Sequence, residues 1–214
     1  VKAPKPTFDL NLKKEPWSQW HWYDVLSDWN WNGYEGKPLE VVVYSSCEEV
    51  ELYLNDKSLG KKGCNRGNQY TAVWEVPYQQ GDLKVIGFNG KKKVNSAVLK
   101  TAGSPESIRM TADRKILTAD GQDLSYVTVE IVDANGIRNP KAENEVKFEI
   151  EGPGEIIAVG NANPVSLESY QLPRRKAWQG RCLVIIKSGK SAGTISLTVG
   201  SGDLKPAKII LDVK

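Results

Sequence analysis

From residue 39 onward, apolar and polar positions alternate with period two. In LEVVVYS (39–45), Val41, Val43 and Ser45 share one face and Val42 and Tyr44 the other. VELYLN (50–55) sets Val50, Leu52 and Leu54 against Glu51 and Tyr53. This is the mark of a strand with one face buried. NDKS (55–58) turns the chain, and KSLGKK follows as a short strand with Gly60 at a tight approach. YTAVWEVPY (70–78) puts Ala72, Trp74 and Val76 on one face, and Pro77 ends the strand or marks an edge. QQGD leads into LKVIGF (83–88), NGKK predicts a hairpin turn, and KKVNSAVLKTA (92–102) closes the unit. About seven short strands in so few residues predict an antiparallel sandwich.

GSP (103–105) reads as a joint, after which the same grammar restarts. Val127, Val129 and Ile131 share a face, and DANG (133–136) is a turn. VKFEI (146–150), GPGEIIAVG (152–160), RCLVIIKS (181–188), GTISLTVG (193–200) and AKIILDV (207–213) read as strands. Residues 161–180, NANPVSLESYQLPRRKAWQG, carry no periodicity and read as a long loop, a place where function often resides. The expected fold class is all-β: two tandem immunoglobulin-like antiparallel β-sandwiches behind a Trp-rich N-terminal segment. The expected parts are an irregular lead-in at 1–36, a first sandwich at 37–102 and a second, seven-stranded one at 103–214. Pro4, Pro6 and Pro16 favour irregular backbone in the lead-in.

Composition narrows the class. At 214 residues the chain suffices for one large domain or two ordinary ones. The net charge is +3 and both halves are nearly balanced, so no field points to nucleic acid. No stretch approaches a membrane span. The absence of an initiator Met suggests an excised or processed chain. Cys47, Cys64 and Cys182 are too few for a disulfide scaffold. Cys47 and Cys64 can face each other across a hairpin, but three separate thiols is the plainer reading. Cys182, in CLVII, behaves as a small hydrophobe.

Candidate chemistry is sparse. His21 is the only histidine, and no GxSxG elbow accompanies it. One histidine with scattered cysteines makes no metal site. Glu48, Glu49 and Glu51 are the densest carboxylates, but Glu51 faces away from Val50 and Leu52, and a glycosidase pair needs a deep cleft. ADGQD (119–123) and Asp133 fit turn chemistry better than cation binding. KKK (91–93) reads as protection of a sheet edge. No catalytic residue, metal ligand or cofactor is expected. The aromatic residues stand out instead: Trp17, Trp20, Trp22, Trp29 and Trp31 place five of the seven tryptophans in one short block. Their large apolar faces and single polar handles suit interfaces and sugar stacking alike. Three readings stay open: packing on the chain's own first sandwich, packing on a neighbouring domain, or a carbohydrate platform. The short distance to the first strand favours the first two. Arg174 and Arg175, followed by Trp178, are candidate loop contacts for an anion or a sugar, with an exposed, solvated charge cluster the simpler reading.

DWNWNGYEGKPLEVVVYSSCEEVELYLNDKSLGKK (28–62) resembles the segment after the catalytic barrel in glycoside hydrolase family 2 enzymes of the β-galactosidase type. A W-N-W element there leads into V-x-V-Y-S-N-C-x-E-V-E-L-x-L-N-G-x-S-L-G, with Ser46 and Asp56 here replacing the usual Asn and Gly. WEVPY (74–78), the stretch at 81–87, TAGSPESIRMTADRKILTADGQDLSYVTVEIVDANG (101–136), GPGEIIAVGNANP and RRKAWQGRCLVIIKS are similar as well. The resemblance implies the C-terminal accessory sandwiches of a bacterial retaining glycosidase that removes galactose or a related sugar. The barrel that would carry its two catalytic glutamates is not in this sequence. It further implies docking of the Trp17–Trp31 block on the catalytic barrel of the same parent chain. The second sandwich would then serve as spacer, dimer contact in a homo-oligomer, or weak carbohydrate contact. Neither nucleic acid nor membrane is an expected partner, and the parent is expected to be periplasmic or secreted. A carbohydrate-binding module and an adhesin-like stalk are the rival classes.

Overall fold

The computed structural model describes Val1 and residues 26–214. They form two compact units, Val1–Thr101 and Ala102–Lys214. All regular structure among them is β apart from one 3-10 turn at Arg66–Asn68.

The first unit has six described strands in two sheets. β1 (Pro38–Tyr44) pairs with β4 (Thr71–Pro77) as a two-stranded antiparallel sheet. Opposite it, β2 (Glu49–Leu54), β3 (Lys57–Gly63), β5 (Asp82–Asn89) and β6 (Lys92–Lys100) form a four-stranded sheet in the order β3-β2-β5-β6. The register sets Leu39 opposite Val76 and Val41 opposite Trp74, so the inward positions meet in rows. Val50, Leu52, Leu54 and Leu83 answer them from the other sheet, all buried. Asn55 and Asp56 both take left-handed backbone, φ 49° and 62°, as a two-residue hairpin matched to strand twist demands. Two strands cannot cover four. β6 is an edge strand with Val94 and Val98 in solvent, and the lysines at 92 and 93 stand exposed upon it. The edge of β4 is closed instead by Lys62, whose ammonium donates to Val73 O at 2.5 Å and lies over the Trp74 ring.

The second unit has nine strands rather than the seven expected. β7 (Ser107–Ala112), β9 (Leu124–Val132), β11 (Gly154–Gly160) and β13 (Arg181–Ser188) make one sheet in the order β11-β13-β9-β7. β8 (Ile116–Leu117), β10 (Glu145–Glu151), β12 (Arg174–Lys176), β14 (Gly193–Gly200) and β15 (Ala207–Val213) make the other, in the order β12-β10-β14-β15-β8. The two extra strands are short edges, two and three residues long, too brief to leave a period in the sequence. β8 also pairs parallel to β15, so the sandwich is not wholly antiparallel. Val127, Val129 and Ile131 lie within the core, with Val184, Ile186, Ile195, Leu197 and Leu211. The chain crosses between sheets at Gly152, where φ is +99° and a Cβ would sit 2.1 Å from Thr194 O. Only glycine fits that corner.

Candidate interaction surfaces

Trp29 and Trp31 are core residues of the first unit. Trp29 is fully buried, its indole Nε1 donates to Gln79 O at 2.9 Å, and its ring meets Tyr78 edge-on at 5.2 Å. Its carbonyl accepts from the Thr101 hydroxyl at 2.7 Å, and the Asn30 amide reaches Lys100 O. These bonds tie the segment before β1 to the end of β6 and the residue after it. Trp31 is 8% exposed and packs against Tyr34. Of the three readings of the tryptophan block, these two residues therefore follow the first, and they offer almost no face to a sugar or a partner domain. Trp17, Trp20, Trp22 and His21 lie outside the described residues.

Trp178 is half-buried in the tight turn before β13, where its amide and carbonyl exchange hydrogen bonds with Arg181. Arg174 is exposed and faces Glu145 at 4.0 Å. Arg175 departs from the expectation of a solvated cluster: its side chain is wholly inaccessible. The physical reason is period two. Residues 174–176 form β12 on the edge of β10, so alternation turns Arg175 inward while Arg174 and Lys176 stay out. Two of its three nitrogens are hydrogen-bonded from the loop it sits beneath. Nη1 donates to Glu168 O at 2.9 Å, Nη2 to Asn161 Oδ1 at 3.2 Å, and the group lies 4.7 Å over the Tyr170 ring. Nε stands 3.7 Å from the Glu168 carboxylate, close enough to pair charge but too far for a hydrogen bond. Burial pushes the Glu168 carboxyl up, but the Lys176 amide, the Ser166 hydroxyl and the Arg175 charge together hold it below its ordinary value.

A second charged group, unforeseen from the sequence, lies on the outer face of the β7-β9-β13 sheet. The registers place Arg109, Glu130 and Arg181 in one row. Arg109 Nε and Nη2 donate to one oxygen of Glu130 at 3.0 and 2.6 Å, and Arg181 Nε to the other at 2.8 Å. Burial raises the Glu130 carboxyl, yet the two guanidinium hydrogen bonds and charges outweigh it and leave it below its usual 4.5. A carboxyl held low in the folded chain adds stability above its unfolded value and loses it as the pH falls through the folded one. The second unit should therefore lose stability progressively on acidification below about pH 5. Glu130→Gln should lower its melting temperature at neutral pH and flatten that acid limb, as followed by circular dichroism. An unchanged limb would show that the row contributes nothing.

The remaining candidates belong to turns and surfaces. Asp133 accepts from the amides of Asn135, Ile137 and Gly103 at 2.7–2.9 Å, and Asp120 from those of Gln122 and Asp123. Glu51 takes the Ser58 hydroxyl at 2.7 Å, and Glu48 takes the Gly90 amide at 2.6 Å. The three cysteines are free and buried, and burial pushes the Cys182 thiol up to about 12. Among the described residues no group of three or more His, Cys, Asp or Glu is placed to hold a metal.

One cleft stands out in the first unit, about 660 Å³ in volume. It opens between the β2–β3 hairpin and the end of β4. Leu54, Leu59, Val76 and Tyr78 line it, with Glu35 and Lys57 among the polar residues. The Tyr78 hydroxyl is buried without a hydrogen-bond partner among the described residues. The Asn55 amide at its edge is already engaged with Gln80 O and the Asp82 amide. The sequence gives no signal for this cleft, because its walls come from three separated segments.

Comparison with known proteins covers both units. A family model described as glycoside hydrolase family 2 C-terminal domain 5 matches residues 108–210, and one described as a domain of unknown function (DUF4982) matches residues 36–95. The beta-galactosidase BoGH2A of Bacteroides ovatus is 40% identical over 197 residues, which is 92% of this chain and 23% of that protein. A beta-glucuronidase of Formosa agariphila is 32% identical over 215 residues, 99% of this chain and 21% of its own. The crystal structure of a glycosyl hydrolase family 2 member from Bacteroides cellulosilyticus superposes with a TM-score of 0.91 at 48% identity, covering 100% of this chain and 28% of that one. The chain thus spans less than a third of the length of each of these relatives.

Proposed function

The chain belongs to glycoside hydrolase family 2 as a non-catalytic C-terminal region, and from that premise we propose that it serves as the accessory, docking part of a longer β-galactosidase-like enzyme. The observation that carries this reading is the extended match to the Bacteroides ovatus beta-galactosidase, which takes in both units of this chain but under a quarter of the relative. Hydrolysis of a terminal glycosidic bond is then the work of the remaining part of the parent. The two sandwiches stabilise that part by packing against it, and the cleft of the first, lined by Leu54, Leu59, Val76 and Tyr78, is one surface for the contact. A β-glucuronidase parent is the second reading, favoured by the Formosa agariphila relative.

The test compares three preparations: the parent enzyme, the parent lacking this region, and the region alone. Each is assayed with nitrophenyl β-galactoside and nitrophenyl β-glucuronide. The parent should cleave the galactoside in preference. The truncated parent should melt at a lower temperature, and the region alone should cleave neither substrate. Preference for the glucuronide selects the second reading. Cleavage by the region alone, or a truncated parent of undiminished stability, overturns the proposal.

A further inference from the structure

The loop between β11 and β12 exposes a dense group of apolar side chains. Leu167 is 100% exposed, Val165 77%, Tyr170 56% and Leu172 44%. Single exposed hydrophobes are ordinary, but four within eight residues form a patch. None of the four belongs to the buried core of the second unit. Leu167 and Val165 contribute little to its folding, Tyr170 lies over the Arg175 guanidinium, and the backbone that carries all four is held firmly.

That hold is extensive. Asn161 Oδ1 receives the Asn163 amide as well as Arg175 Nη2, and Asn163 Oδ1 receives the Val165 amide. The Glu168 carboxylate takes the Ser166 hydroxyl and the Lys176 amide, each at 3.0 Å. Tyr170 O and Pro173 O accept from Val159 and Phe148, joining the loop to both sheets of the unit. Beneath it all lies the buried Arg175. Burying a guanidinium is costly and ordering a loop loses entropy. Here both serve to hold a set of apolar side chains in water, an arrangement that gains nothing until something covers them.

Charge indicates what covers them. The only ionised side chain from 161 to 173 is Glu168, and it is paired with Arg175. A neutral apolar patch has no field to steer a free partner. It suits a surface delivered by a tether, where a high effective concentration replaces steering. The relatives supply such a tethered surface, since more than three-quarters of the Bacteroides ovatus chain lies outside the part matched here. The geometry points to the loop at 165–172 as a contact by which the second unit packs on the preceding, catalytic part of its own parent chain. This assignment rests on the docking reading above and names one surface for it.

The test uses the full parent enzyme. A photoreactive phenylalanine analogue is placed at Leu167, and at Lys208 on the exposed face of β15 as control. The Leu167 probe should crosslink to peptides of the catalytic part of the same chain, and the Lys208 probe should not. Leu167→Asp should lower the melting temperature of the parent by several degrees. The same substitution in the 214-residue chain by itself should leave its circular dichroism spectrum and melting unchanged, since the side chain is fully exposed there. Crosslinks to a second copy, or neither crosslink nor melting shift, would overturn the assignment. Deleting the whole region separates the two levels. If deletion destabilises the parent while Leu167→Asp does not, docking stands and the loop assignment falls. If deletion has no effect, the docking reading itself fails.

Discussion

Trp29→Ala is expected to destabilise the first unit by about 3–5 kcal/mol, the cost of removing a large buried aromatic side chain and leaving a cavity. The indole is fully enclosed, stacked edge-on against Tyr78 and hydrogen-bonded to Gln79 O, so truncation removes packing and orphans a carbonyl together. Domains of this size have roughly 5–15 kcal/mol in total, so the variant should sit near the edge of folding. Urea denaturation followed by circular dichroism reads the change as a lower midpoint with an unaltered slope. A shift below about 0.5 kcal/mol, the range of surface substitutions, would mean that the residue is not core. The result also separates the readings of the tryptophan block. A stacking residue for sugar would lose ligand on truncation and keep its stability.

Arg175→Leu should cost the second unit about 2–4 kcal/mol, somewhat less than full disruption of a buried ion pair because Glu168 keeps a third of its side chain in water. Leucine is apolar and fits beside Val146, but it takes the Arg175 donor from Glu168 O and leaves Asn161 Oδ1 with the Asn163 amide alone. The loss should be local. Amide exchange over 161–173 should accelerate far more than in β9 or β13, whose hydrogen bonds do not depend on the loop. Arg175→Lys should recover only part of the loss, since an ammonium lacks the planar fork that spans two acceptors while stacking on Tyr170. Uniform destabilisation with unchanged exchange in the loop would show that the arginine acts through bulk packing alone.

Acid sensitivity at Glu130 and local order at Arg175 share an origin. Both are charges that strand alternation and register turned into partly or wholly enclosed positions. Glu130 alternates with Val129 and Ile131, so the sequence places it correctly on the outward face of β9. The two arginines hydrogen-bonded to it lie far along the chain on β7 and β13, and only strand pairing puts them in one row. Arg175 is harder still. A three-residue edge strand has no repeat long enough to read, so RRK passes for a solvated charge run. Its register against β10 decides which of the three charges is buried.

The sequence alone was sufficient for the β class, for the long strands and for the inward faces of β2, β4 and β9. Period-two burial is a local property, written wherever a strand is long enough and one face meets a core. It also carried the family likeness, because ordered strings of core and turn residues persist in the linear text. The fate of Trp29 and Trp31, the burial of Arg175, the Arg109–Glu130–Arg181 row and the open cleft were decided by tertiary structure. Each depends on which distant segment lies opposite, and an amphipathic aromatic or a charge reads the same in sequence whether or not a partner covers it.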